Sequence, residues 1–317
     1  MIVFQGEIYI EKSRISLQIR FHFKDPNSLE QQVFSSKGWN RILLLAIPYF
    51  LIAGLFQYVG YRLAGVDFVP DAVMQNPEQP VIIKFFDLAG TVLIIWLFTK
   101  YIDEKEFVNV GFRKYYIWMD LLTGVLIGFI VMIFGLLSLA WAGKVQIKMY
   151  DFDIKNLLLT TIHFVLVGIL EELLFRGYLL NNLMVSFNKY LALIISAVLF
   201  TVMHFANPNL DLLGITGLFL AGILLGMCYL VTNNLWLPIA LHFSWNFFQS
   251  LFGFNVSGQD YYSMVVTSFQ KADEWNGGAF GFEGSILSIP FQIFAIIFIF
   301  CKFKSRLANT NTILHKQ

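Results

Sequence analysis

The chain has 317 residues, of which 57% are hydrophobic, 17% aromatic and only 14% charged, with a formal net charge of +1. Soluble domains carry about 25% charged residues, so this composition excludes an ordinary soluble fold, and the near-zero charge argues for no nucleic-acid partner. Two cysteines, Cys228 and Cys301, both within apolar runs, argue against a disulfide scaffold or a thiolate metal site and are expected to be small buried hydrophobes.

Residues 1–40 form a charged leader without the long apolar core of a cleavable signal peptide. Within it, the alternating stretch "ISLQIRFHF", Ile15 to Phe23, fits a short strand and an unfolded segment equally well. A bilayer span takes about 20 mostly apolar residues. Eight such stretches follow, near 41–61, 82–101, 117–142, 156–186, 189–205, 212–232, 235–253 and 284–302. Each is continuous rather than alternating, and lipid leaves no backbone group unpaired, so only helices fit. The expected fold is therefore all-α, a polytopic membrane bundle of about eight transmembrane helices. It divides into N-terminal helices (41–142), a four-helix core (156–253), an external glycine-rich loop (254–283) and a last helix with its tail (284–317).

Lysine and arginine near the segment ends set the orientation. The leader carries Lys12, Arg14, Arg20, Lys24, Lys37 and Arg41, the second loop Lys100, Lys105, Arg113 and Lys114, and the tail Lys302, Lys304, Arg306 and Lys316. All lie on one side of an eight-span bundle. The other side has Arg62, Lys84, Lys144, Lys148, Lys155 and Lys271. The expected location is a bacterial cytoplasmic membrane, with both termini in the cytoplasm and "DEKEF" and "GFRKYY" (Asp103 to Tyr116) in a solvated cytoplasmic loop.

One apolar stretch is anomalous. "VGILEELLFRGYLLN", residues 167 to 181, holds Glu171, Glu172 and Arg176 within two helical turns. A charged residue at mid-helix disfavours insertion by about 2.5–3.5 kcal/mol, against about 0.3–0.6 returned by each Leu, Ile, Val or Phe. Intramembrane ionisable residues are functional by default. On a helix Glu172 and Arg176 are four apart and can pair, while Glu171 is turned about 100° away. If this helix runs to a turn near Asn188, Glu171 lies about 25 Å from the turn. His204 lies at nearly the same height on the next helix, so carboxylate and imidazole can meet.

Two more polar motifs follow. "FTVMHFANP" puts Phe200 and His204 one turn apart before a break at Asn207-Pro208, and "LPIALHFSWNFF" puts His242 and Asn246 on one face after Pro238. Between them "GLFLAGILLG" has Gly217, Ala221, Gly222 and Gly226 at the small-residue spacing that permits close helix approach. The set Glu171, Glu172, Arg176, His204, His242 and Asn246 contains the residue types that activate water and stabilise an oxyanion. Helix lengths alone leave His204 and His242 about 10 Å apart in depth, which requires tilted helices or a loop at Asn207–Asp211 that dips into a cavity.

The order E-E-x-x-x-R, F-x-x-x-H, H-x-x-x-N, here "EELLFR", "FTVMH" and "HFSWN", resembles the CPBP or Abi family of intramembrane endopeptidases, the group that includes the CAAX prenyl endopeptidase. The resemblance covers about 156–253 and makes this the catalytic core. It implies a water activated by Glu171 and His204, a scaffold of Glu172 and Arg176 that holds that carboxylate, and an oxyanion site of His242 and Asn246. Its implied substrate is a peptide bond of a membrane-associated or lipidated protein or peptide at the bilayer. A prenylated CAAX tail is one option, although no motif reads a lipid chain. Metal use stays open: Glu171, His204 and His242 would make a His₂Glu zinc set, and the metal-free reading is slightly preferred.

Two other classes remain. A transporter or proton relay uses the same residue types but calls for two similar halves, and 41–142 and 156–302 show no repeat. A non-catalytic immunity or scaffold member of the same family would work through contact alone. His163, about 80° off the Glu171 face, is read as a satisfied core residue, and nothing in the sequence specifies an oligomeric state.

Overall fold

The computed structural model describes residues 37–69, 72–149, 152–268 and 273–314. The alternating stretch Ile15 to Phe23 and most of the leader lie outside them. Every expected span is helical: α1 (Gly38–Ala64), α2 (Glu78–Tyr101), α3 (Ile117–Trp141), α4 (Ile154–Glu172), α5 (Asn181–Ser186), α6 (Lys189–Met203), α7 (Leu212–Thr232), α8 (Trp236–Leu251) and α9 (Ser288–Leu314). A π-helical segment, Leu173–Leu180, joins α4 to α5 without a break, so these form one span.

The chain is thus an all-α membrane bundle, with six helices among the described residues long and apolar enough to cross a bilayer. The other two expected spans are shorter, 15 residues in α6 and 16 in α8. Both carry motif residues. Local chemistry sets several helix starts: the side chains of Asp153, Asn188 and Asp211 accept from the first free N–H groups of α4, α6 and α7. At the other end, α1 stops at Gly65 in the left-handed region (φ 69°).

Packing brings α8 into the centre. It lies against α3, where a Cβ at Gly128 would come within 2.9 Å of the Trp245 backbone nitrogen, and Ser244 Oγ donates to the Val125 carbonyl at 2.7 Å. The small residues of α7 divide between two partners. Gly222 lets α6 approach until a Cβ would meet Ala197 Cα at 2.8 Å, while Gly217 packs against the Glu283 carbonyl.

Three expectations need correction. The segment Asp103 to Tyr116 is not simply a solvated loop. Asp103 Oδ2 accepts from Asn182 Nδ2 at 3.2 Å, its Oδ1 lies 3.5 Å from Arg41, and Asn234, Leu235 and Trp236 donate to carbonyls of Gly111, Arg113 and Tyr115. Burial pushes the Asp103 carboxyl up from its ordinary value, and only its polar neighbours hold it back. Cys228 is buried as expected, but Cys301 is exposed on α9 because it lies on that helix's outward, lipid-compatible face. The described parts of 254–283, expected as an external loop, are packed against the bundle rather than free of it. Phe254, Phe280 and Phe282 are apolar and sink into the bundle, β2 (Val265–Ser268) pairs antiparallel with β1 (Gln146–Met149), and Lys144 bridges Asp273 at 2.8 Å.

Candidate active site

Glu171 is the second-last residue of α4, Glu172 its last, and Arg176 stands in the π-helical segment that follows. Such π segments shift the register of side chains within a helix and often occur at functional sites. His204 caps the C-terminus of α6, and His242 and Asn246 lie one turn apart on α8. All of these except Glu172 and Arg176 line one cavity of about 620 Å³.

Glu171 Oε2 lies 3.7 Å from His204 Nε2 and 3.9 Å from His242 Nε2, and has no hydrogen-bond partner among the described residues. The two imidazoles thus approach the same carboxylate oxygen. The turn after α6 lines the cavity through Asn207, and Gly258 packs tightly over the Pro208 carbonyl.

The second nitrogen of each ring fixes its tautomer. His204 Nδ1 is 2.7 Å from the Phe200 carbonyl, which can only accept, so Nδ1 carries the hydrogen. His242 Nδ1 is 2.8 Å from Glu172 Oε1, which also accepts Arg176 Nη1 at 2.5 Å. Both rings therefore turn Nε2 toward Glu171. This corrects one expected contact: Glu172 holds His242 rather than the Glu171 carboxylate, because its side chain points toward α8.

Arg176 is completely buried. Its Nη2 donates to the Gly222 carbonyl at 3.3 Å and its guanidinium lies 4.6 Å from the centre of the Phe200 ring. One arginine thereby ties α4, α6 and α7 behind the site. With Glu172 fully enclosed too, the pair is a buried ion pair whose charges have each other and His242 in place of water.

For zinc the donor types are right, and both imidazoles have the carbonyl or carboxylate partner on Nδ1 that metal-ligating histidines use. As placed, however, no group of three or more His, Cys, Asp and Glu side chains among the described residues converges into a metal-holding cluster. The fit to a metal is incomplete.

The wall also contains residues that the motifs did not indicate. Tyr261 and Glu283 come from the 254–283 stretch, Lys84 and Asp87 from α2, and His163 from α4. Glu283 Oε1 accepts from both the backbone N–H and the hydroxyl of Ser257, and burial raises its carboxyl above the usual glutamate value. His163 is buried as expected but not satisfied: neither ring nitrogen has a partner among the described residues. A lone carboxylate within an aromatic, glycine-rich stretch, "FGFEGS", was the available signal for Glu283.

With three helices delivering two histidines to one carboxylate in a membrane cavity, the comparison with known families becomes specific. Residues 153–248 match the family described as type II CAAX prenyl endopeptidase Rce1-like. This region is similar to that family. The match begins at the Asp153 cap of α4 and ends inside α8, so it takes in all six motif residues. No curated protein and no solved structure matches the chain. The apolar helices make this a multi-pass membrane protein, and the part of it that holds the six motif residues is similar to a peptidase family.

Proposed function

We propose that this protein is an intramembrane endopeptidase that hydrolyses a peptide bond of a membrane-associated protein or peptide by a metal-free, Glu/His-activated water. The observation that supports it is the approach of Glu171 Oε2 to the Nε2 atoms of His204 and His242 inside the cavity. Separations of 3.7 and 3.9 Å are too long for direct hydrogen bonds. A water about 2.8 Å from each atom would bridge them at angles near 80–90°, which its donors and lone pairs span.

In this reading Glu171 takes the proton of the attacking water, and His204 orients that water and relays the proton to the leaving amine. His242 and Asn246 donate to the oxyanion of the tetrahedral intermediate. Because His242 Nδ1 is committed to Glu172, the ring donates from Nε2 only when doubly protonated, and Glu171 and Glu172 together then balance the charges of His242 and Arg176. Glu172 and Arg176 act by holding that ring in place.

Lysine and arginine placement puts both termini in the cytoplasm. On that orientation the loop residues lining the cavity, Met74, Asn207, Val256, Ser257, Gln259 and Asp260, all belong to the opposite side. The cavity then opens away from the cytoplasm, toward exported or outer-leaflet substrates. Comparative proteomics of membranes holding wild-type protein or the Glu171→Ala variant tests the activity. A peptide that accumulates uncut only in the variant supports it; identical peptide profiles refute it.

A further inference from the structure

The cavity continues past the motif residues along α4 toward α2. There His163 is 5% exposed with both ring nitrogens unpartnered among the described residues. The Pro80 carbonyl is close enough to interact with one ring nitrogen, at a geometry short of a well-formed hydrogen bond, and leaves the other nitrogen without a partner among the described residues. Tyr261 covers the ring at 5.2 Å between centroids, and Phe164 flanks it at 5.3 Å. Beside it, Lys84 gives one N–H to Asp87 at 3.1 Å and keeps two more donors, and its charge acts on both His163 and Glu171. Lys84, Asp87, His163, Phe164 and Tyr261 all line the same cavity as Glu171. A satisfied core histidine has its ring nitrogens paired; a buried ring that is unpaired and faces a cavity is completed by what enters it.

We propose that His163 and Lys84 form a subsite that holds an acceptor oxygen of the substrate peptide three to four residues from the scissile bond. This rests on the endopeptidase reading. The distance follows from the helix: His163 and Glu171 are eight residues apart on α4, about 12 Å of rise, and an extended peptide covers about 3.3–3.6 Å per residue. The donors define the chemistry. A lysine ammonium and an imidazole N–H both select oxygen acceptors, while the rings of Tyr261 and Phe164 provide an apolar bed for the adjoining chain. A main-chain carbonyl and a terminal carboxylate share this acceptor chemistry.

The test uses dye-labelled apolar decapeptides, with free or amidated C-termini, in detergent micelles. Their binding to the full-length Glu171→Gln protein is read by fluorescence anisotropy. Adding His163→Phe, which keeps the ring volume, or Lys84→Met is expected to raise Kd about tenfold, while His163→Gln, which keeps a donor and an acceptor, stays within about threefold. In the Glu171 enzyme His163→Phe is expected to raise KM with little change in kcat. Equal losses for free and amidated peptides indicate a main-chain carbonyl; losses confined to free acids indicate a terminal carboxylate. The subsite is overturned if His163→Phe binds as tightly as its parent, if His163→Gln is no better than His163→Phe, or if no peptide binds. Peptides that bind in a His163-dependent way but are never cut by the wild-type protein would refute the endopeptidase reading and leave the subsite standing.

Discussion

Glu172 Oε1 lies 2.8 Å from His242 Nδ1, across 70 residues of sequence, and the same oxygen accepts Arg176 Nη1. One carboxylate thus aims an imidazole of the candidate site and neutralises a buried guanidinium at once. Removing it strands Arg176 in a dry environment. Glu172→Ala is therefore expected to lower stability by about 3–5 kcal/mol, and a double-mutant cycle with Arg176→Ala should show coupling in thermal melts. Additive losses would mean that the two charges do not act as a pair.

Asn246 offers an amide to the cavity one turn beyond His242. As an oxyanion donor it should cost about 10²–10³ in turnover when replaced by Ala, with unchanged melting behaviour and KM. His242→Ala should act in the same direction. Neither wild-type turnover nor its chelator resistance should depend on zinc; one zinc per chain, with activity lost on chelation, would replace the metal-free reading by a His₂Glu site.

Glu283 gives a pH dependence whose sign is fixed. Burial raises its folded carboxyl above the ordinary value of 4.5. Its stabilising contribution is complete below that value and is lost as pH rises through the folded one. Wild type and Glu283→Gln should melt alike in acid, and the variant should become the more stable of the two as pH increases. Parallel melting curves across pH would mean that Glu283 does not hold its proton more tightly when folded.

The proposed orientation can be read chemically. In a Cys228→Ala, Cys301→Ala background, a cysteine at Gln259 should react with a membrane-impermeant maleimide on intact cells, and one at Lys105 only after permeabilisation. The reverse pattern would turn the cavity toward the cytoplasm.

Much of this site was legible because ionisable residues are expensive in apolar helices. Glu171, Glu172, Arg176, His204 and His242 were visible against a background of leucine and phenylalanine, and the Asn188 turn put Glu171 level with His204. The partner of Glu172 was not, because helical spacing reaches only three or four residues and His242 lies 70 away. Nor was the π-helical turn that carries Arg176, since no residue type marks it. Tyr261, Glu283 and Lys84 escaped notice for another reason: they reach the cavity by tertiary packing of a polar, glycine-rich stretch and of a helix that lacks the motifs. His163 was placed in the core correctly, but whether a buried histidine is paired depends on neighbours that sequence does not reveal.

Glu171 is proposed as the general base. Its most direct test is the turnover of purified Glu171→Gln against wild type, on the peptide that accumulates uncut in Glu171→Ala membranes. The expected result is a loss of about 10²–10⁴-fold with an unchanged melting temperature and intact peptide binding. Turnover retained above about one per cent of wild type would contradict it and remove Glu171 from the proton transfer.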